Sequence, residues 1–129
     1  MVNQAEQYDA DAVFASADTY IAETNNYGGC FCFPEYLVLS GQACIANLVC
    51  KNLRQNVSPT VWNILFNLLF LKRNNLHFFG RNTEDYLFFS TYYYRIKKAV
   101  FLPNITYHYT IRNHSLMGYN RRESIPILK

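Results

Sequence analysis

Two short stretches carry side chains that could do chemistry. Glu84 and Asp85 stand side by side after Asn82-Thr83. Adjacent carboxylates at a helix start can supply a general base, because the positive end of the helix keeps a carboxylate ionised near neutrality. Further on, His108, Thr110 and Arg112 recur at every second position, with His114 and Ser115 close behind. In an extended strand such residues share one face, and an arginine there can neutralise phosphate or a sugar acid. The plainer alternatives are a capped, charged helix start and an ordinary solvated strand face.

Both stretches need elements to hold them. Gly80-Arg81-Asn82-Thr83 reads as a loop that delivers a capped helix: Asn82 or Thr83 can accept from the first-turn amides, and Glu84 and Asp85 suit the positive end. That helix is predicted to run to about Lys97-Lys98, with basic residues at its negative end. Residues 99–102 read as a strand stopped by Pro103-Asn104. Residues 105–112 alternate most cleanly, with Ile105, Tyr107, Tyr109 and Ile111 on the face opposite Thr106, His108, Thr110 and Arg112.

The upstream chain reads as scaffold. A short amphipathic helix is predicted over 2–8, a buried strand over 11–17, and a loop or turn over 22–32 around Gly28-Gly29. Pro34 suits the first position of a helix with Glu35 in its first turn, carrying Leu37, Val38, Cys44, Ile45, Leu48 and Val49 inward despite Gly41. A loop follows to Ser58-Pro59. Residues 61–73 then read as a buried apolar helix around Trp62, Leu65, Phe66, Leu69 and Phe70, and 76–79 as a short extended piece. This order gives a mixed α/β class, with a mixed sheet and flanking helices.

Bulk properties narrow the classes. A chain of 129 residues, 50% hydrophobic and only 16% charged, is one folded domain with a real core. The aromatic share of 17% fills a core or lines a sugar platform. A net charge of +3, with Lys and Arg scattered, gives no basis for a nucleic-acid partner. The first residues lack the basic start and apolar run of a signal peptide, and the run over 61–71 is too short to span a bilayer. The expectation is a cytoplasmic protein, with peripheral membrane contact open through Lys72 and Arg73 beside that run.

In that reduced setting Cys30, Cys32, Cys44 and Cys50 are expected as small buried hydrophobes, since C-x-C…C-x5-C does not match paired zinc knuckles. The sequons at Asn56, Asn104 and Asn113 would matter only in a secretory compartment.

Several motifs together carry a resemblance. Thr83-Glu84-Asp85-Tyr86-Leu87-Phe88, Ala99-Val100-Phe101-Leu102-Pro103 and the stretch Tyr107-His108-Tyr109-Thr110-Ile111-Arg112-Asn113-His114-Ser115 resemble the C-terminal half of a family 2 glycosyltransferase of the bacterial polysaccharide type. Val61-Trp62-Asn63-Ile64-Leu65-Phe66 and Phe70-Leu71-Lys72 resemble the W-N-K-L-F…F-L-K segment of the same enzymes, and residues 5–13 the helix-to-strand passage after their D-x-D.

The resemblance implies a partial GT-A (Rossmann-like) fold and transfer of a sugar from a nucleotide-sugar donor to a saccharide or lipid-linked acceptor in polysaccharide biosynthesis. It implies Asp85 as the base, with Glu84 its neighbour, and a divalent cation, Mg²⁺ or Mn²⁺, bridging the donor diphosphate. It places His108 near that metal and diphosphate, Arg112 on the diphosphate, and Ser115 with His114 on the acceptor side. His77 falls in no motif.

It further implies that residues 1–117 are the acceptor-side half, followed by a polar tail over 118–129, with the nucleotide-binding half and its D-x-D outside the chain. Asp9-Ala10-Asp11 then reads as a helix-exit turn, with Asp9 capping or solvated, and the chain alone as inactive. Val13 and Phe14 would lose cover, and self-association or a separate N-terminal half would supply it. The competing expectation is a non-catalytic interaction module that keeps the acceptor-side surface.

Overall fold

Strand β1 (Ala12–Ile21) is the axis of the structure, a computed structural model that describes residues 1–41, 61–79 and 84–112. Its first six residues are buried and its last four half-buried, so the strand passes out of the core along its length. On one side β1 pairs antiparallel with β2 (Asn26–Phe31) and, nearer its start, with β4 (Ile64–Phe66). On the other it pairs in parallel with β5 (Lys98–Ile111), which pairs antiparallel with β3 (Leu37–Ser40). The result is a five-stranded mixed sheet of order β2-β1-β5-β3, with β4 beside β1. The mixed α/β class read from the sequence holds.

Among the described residues, three helices accompany the sheet: α1 (Val2–Tyr8), α2 (Leu68–Arg73) and α3 (Glu84–Tyr93). Strand alternation sorts the core onto two faces. Ala12, Phe14, Ala99 and Phe101 cluster with Phe88, Phe89, Tyr92 and Tyr93 of α3. Val13, Ala15, Val100 and Leu102 cluster on the opposite face, with Met1, Ala5 and Tyr8 packed against them. Phe14 and Phe101 stack at 4.8 Å across the parallel pair, each buried ring contributing on the order of 2–3 kcal/mol.

A single aspartate ties the layers together. The Asp11 carboxylate accepts from the backbone N–H of Lys97 at 2.8 Å and of Lys98 at 3.0 Å. The Asp11 carbonyl accepts from the Tyr92 hydroxyl at 2.7 Å and from the Asn67 N–H at 2.9 Å. The exit of α3, the entry of β5 and the start of α2 all meet where β1 begins.

Several expectations need correction. Residues 37–40 form a strand rather than helix: Leu37 and Leu39 are half-buried while Val38 and Ser40 are exposed, and the open edge of β5 offers backbone partners that a local helix signal does not register. The rest of that expected helix, with Cys44 and Cys50, lies outside the described residues.

The run over 61–73 is not one helix. Asn67 accepts from the N–H groups of Leu69 and Phe70, so α2 can begin only there, and Ile64–Phe66 are left to pair with β1. Leu69, expected inward, is exposed. Gly28 and Gly29 lie within β2, and the turn falls at residues 22–25. Helix α3 ends at Tyr93, short of the predicted Lys97-Lys98, because Asp11 takes those two amides. Tyr92 and Tyr93 are core, but Tyr94 is 69% exposed.

Val13 and Phe14 do not lose cover: they are 0% and 1% exposed, enclosed by α1 on one face and α3 on the other. Pro103 does not end the strand either. Strand β5 runs on through it, and the β1 register jumps from Ala15↔Leu102 to Ser16↔Ile105 and then to Ala17↔Tyr107. Residues 103, 104 and 106 are passed over, the kind of irregularity that tolerates a proline. Ile105 therefore faces Ser16 while Tyr107 faces Ala17, so the predicted alternation starts only at Tyr107.

Candidate functional site

Glu84 and Asp85 occupy the first turn of α3, as the sequence indicates. Asn82 and Thr83, the expected caps, lie outside the described residues. The Asp85 carboxyl is pushed up from its ordinary value by partial burial and by the negative charge of Glu84. This opposes the expectation that the helix end alone would keep it readily ionised. A base of raised pKa accepts a proton more strongly once ionised. Tyr86 and Leu87, next in sequence, are 61% and 48% exposed, so the helix start borders an apolar surface open to solvent.

His108 lies on the outer half of β5, in register with Asp18 of β1. Its Nδ1 is 2.5 Å from Asp18 Oδ1. Against an ionised carboxylate, which only accepts, the donor in such a contact is an Nδ1–H. The Tyr27 ring of β2 stands edge-on to the imidazole at 5.7 Å. Tyr27 also packs on Tyr20 at 5.4 Å, whose hydroxyl donates to Asn25 Oδ1.

By alternation along β1, Asp18 belongs to the face of Phe14, the face that α3 covers. Asp85 and His108 are thus on one side of the sheet, and no hydrogen bond or ion pair joins them among the described residues. Arg112 follows the end of β5 and is exposed. Ser115 and His114 lie outside the described residues. His77 is exposed, with Nδ1 3.0 Å from the Asn75 carbonyl.

The opposite face carries an aromatic stack. Trp62 lies parallel to Tyr107 at 4.6 Å and to Tyr109 at 5.4 Å. Its neighbour Asn63 fixes it, because Asn63 Nδ2 donates to the Ala15 carbonyl and Ala15 N–H donates to the Asn63 carbonyl. Flat apolar rings of this kind suit the faces of sugars.

Asp18 and Trp62's ring partners went unrecognised in the sequence as site residues. The strand predicted over 11–17 stopped one residue short of Asp18, so no local signal marked it. Of metal ligands, the described surroundings of His108 offer one imidazole and one carboxylate already bonded to each other. That pair alone does not fit Mg²⁺ or Mn²⁺, which prefer several oxygen ligands, and no step is derived through a cation. Asp9, tempting as half of a D-x-D, caps α1 in the left-handed conformation at φ 46°, and Asp11 is the structural tie described above.

No protein-family model matches the chain, and no curated protein does. Among the described residues, no helix is long and apolar enough to cross a membrane.

Proposed function

We propose that this chain is the acceptor-side part of a glycosyltransferase of GT-A type, acting in polysaccharide synthesis, with Asp85 as the base that takes a proton from the acceptor hydroxyl. The observation that carries the reading is the placement of Asp85. It sits in the first turn of α3, partly buried and pressed by Glu84, beside exposed Tyr86 and Leu87. A carboxyl whose pKa is raised in this way is the stronger proton acceptor, which suits deprotonation of an alcohol.

On this reading the nucleotide-sugar donor, its diphosphate and its Mg²⁺ or Mn²⁺ are held mainly by elements other than those described, with Arg112 reaching the diphosphate, while His108, expected there too, is engaged by Asp18. The chain alone binds acceptor without turning over donor. Glu84 tunes its neighbour through its charge.

A second reading, a saccharide-binding module without chemistry, draws on the Trp62–Tyr107–Tyr109 stack. Two measurements test these readings. Oligosaccharides titrated into labelled protein should shift the resonances of Asp85 and its neighbours, and UDP- or GDP-sugars with Mg²⁺ should show no turnover. Turnover by the chain alone would overturn the acceptor-side-part reading, and turnover equally fast in Asp85→Asn would also remove the base assignment. Saccharide shifts confined to Trp62, Tyr107 and Tyr109 would favour the binding module.

A further inference from the structure

The strongest unassigned feature is the contact between Asp18 and His108, brought together only by the parallel register of β1 and β5. The two side chains differ sharply in exposure: 14% for Asp18 and 59% for His108. The carboxylate is held against the sheet while the imidazole reaches into solvent. Because Nδ1 is engaged by Asp18, Nε2 is the ring nitrogen turned away from that contact. A free imidazole in water can place its proton on either nitrogen; here one choice is made by the fold. Tyr27, edge-on at 5.7 Å, limits rotation of the ring from the side of β2.

We infer that Asp18 and His108 form a proton-accepting dyad whose Nε2 activates a hydroxyl or a water molecule, with Asp18 as the positioning residue. The logic is that of any carboxylate-oriented histidine base: one nitrogen is anchored, so the other meets the reactant in its unprotonated form. A neutral Nε2 accepts and does not donate, so its natural partner is an O–H group rather than a phosphate oxygen. This goes beyond the saccharide-transfer reading and stands if that reading fails, since it rests on β1 and β5 alone. In the reaction, Nε2 takes a proton from water as the water oxygen adds to an acyl carbon. The carbon–oxygen bond to the leaving group then breaks, and the imidazolium returns its proton to the medium.

Two experiments on the full chain test the dyad. Long-range ¹H–¹⁵N correlation spectra should show His108 with Nε2 unprotonated in the wild-type protein, and Asp18→Asn should shift it toward the Nε2–H form. Hydrolysis of p-nitrophenyl acetate should fall by about tenfold in His108→Gln, a modest figure for a positioned base. Asp18→Asn should lose most of the same rate with its circular dichroism unchanged, and His77→Gln should retain it. The dyad is overturned if wild-type His108 carries its proton on Nε2, or if His108→Gln hydrolyses the ester as fast as the wild type. Because no saccharide enters either experiment, failure here leaves the saccharide titration untouched, and the reverse holds as well.

Discussion

The Tyr92 hydroxyl donates a 2.7 Å hydrogen bond to the carbonyl of Asp11, joining the last turn of α3 to the first residues of the central strand. Tyr92 is 0% exposed, and its phenol is pushed far up from the ordinary value, first by burial and then by the nearby Asp11 charge. Tyr92→Phe should lower stability by about 1 kcal/mol, the usual net worth of such a bond. Thermal unfolding would register this as a drop of about 3–5 °C.

The same tyrosine sets an alkaline limit. Its folded pKa lies above its unfolded value of 10.0, so above that pH the unfolded chain loses a phenolic proton that the folded protein keeps. Stability should therefore fall as pH rises beyond 10, by up to about 1.4 kcal/mol per unit for this one group. Urea titrations at a series of alkaline pH values should give a shallower slope for Tyr92→Phe than for the wild type.

Asp11→Ala should be costlier than the tyrosine change, because it leaves the N–H groups of Lys97 and Lys98 without their carboxylate. Hydrogen bonds to a charged acceptor are worth more than neutral ones, and a loss of about 2 kcal/mol is expected. Asp11→Asn keeps an acceptor oxygen and should lose less than half of that in denaturant titrations.

Asp85 should leave a mark at acid pH. Its folded pKa is raised above the ordinary 3.8 by burial and by Glu84. Below the unfolded value both states hold the proton. Between the two values the folded state keeps a proton that the unfolded chain has lost, so stability declines as pH rises through that window. Relative to the wild type, Asp85→Asn should gain stability over the same window, by less than about 1 kcal/mol since the group is partly solvated. Parallel pH–urea surfaces for the two proteins would reveal the sign; an Asp85→Asn advantage that grew on going to lower pH would contradict it.

Gly28→Ala tests the joint between β1 and β2. A Cβ at Gly28 would lie 2.6 Å from Thr19 Oγ1, the same oxygen that donates to the Gly29 carbonyl at 2.7 Å. Threonine is stiff about χ1 and cannot swing away freely, so a cost of about 1–2 kcal/mol is expected. Thr19→Ala should relieve most of the clash, and the double-mutant cycle should show a coupling of about 1 kcal/mol.

Where the fold was legible in the sequence, the signal was local. Paired acids announced the start of α3, and alternation from Tyr107 onward announced the outer half of β5. What escaped depended on partners distant in the chain. Pro34-Glu35 read as a helix start, but Leu37–Ser40 found an open strand edge that no nearby residue reveals. Asn67, inside an apolar run, divided a strand from a helix through one side-chain oxygen. Asp18 carried no motif and became notable only through a neighbour 90 positions away. The position of Asp85 was readable, but its raised pKa was not, since that depends on burial.

The three residues of β5 passed over by β1 have a consequence that concerns parity. Three is odd, so the outer half of the strand is turned over relative to its inner half: Leu102 points with Ala15, yet it is His108, not Tyr107, that comes to rest against Asp18. Had β5 kept its inner register throughout, His108 would lie opposite Ile21 and the imidazole would fall on the side of Trp62. The register shift at this point, rather than residue type, decides which groups can meet. Deleting Thr106 should therefore leave Asp18 and His108 together, with Ile105 and Tyr107 adjacent opposite Ser16 and Ala17.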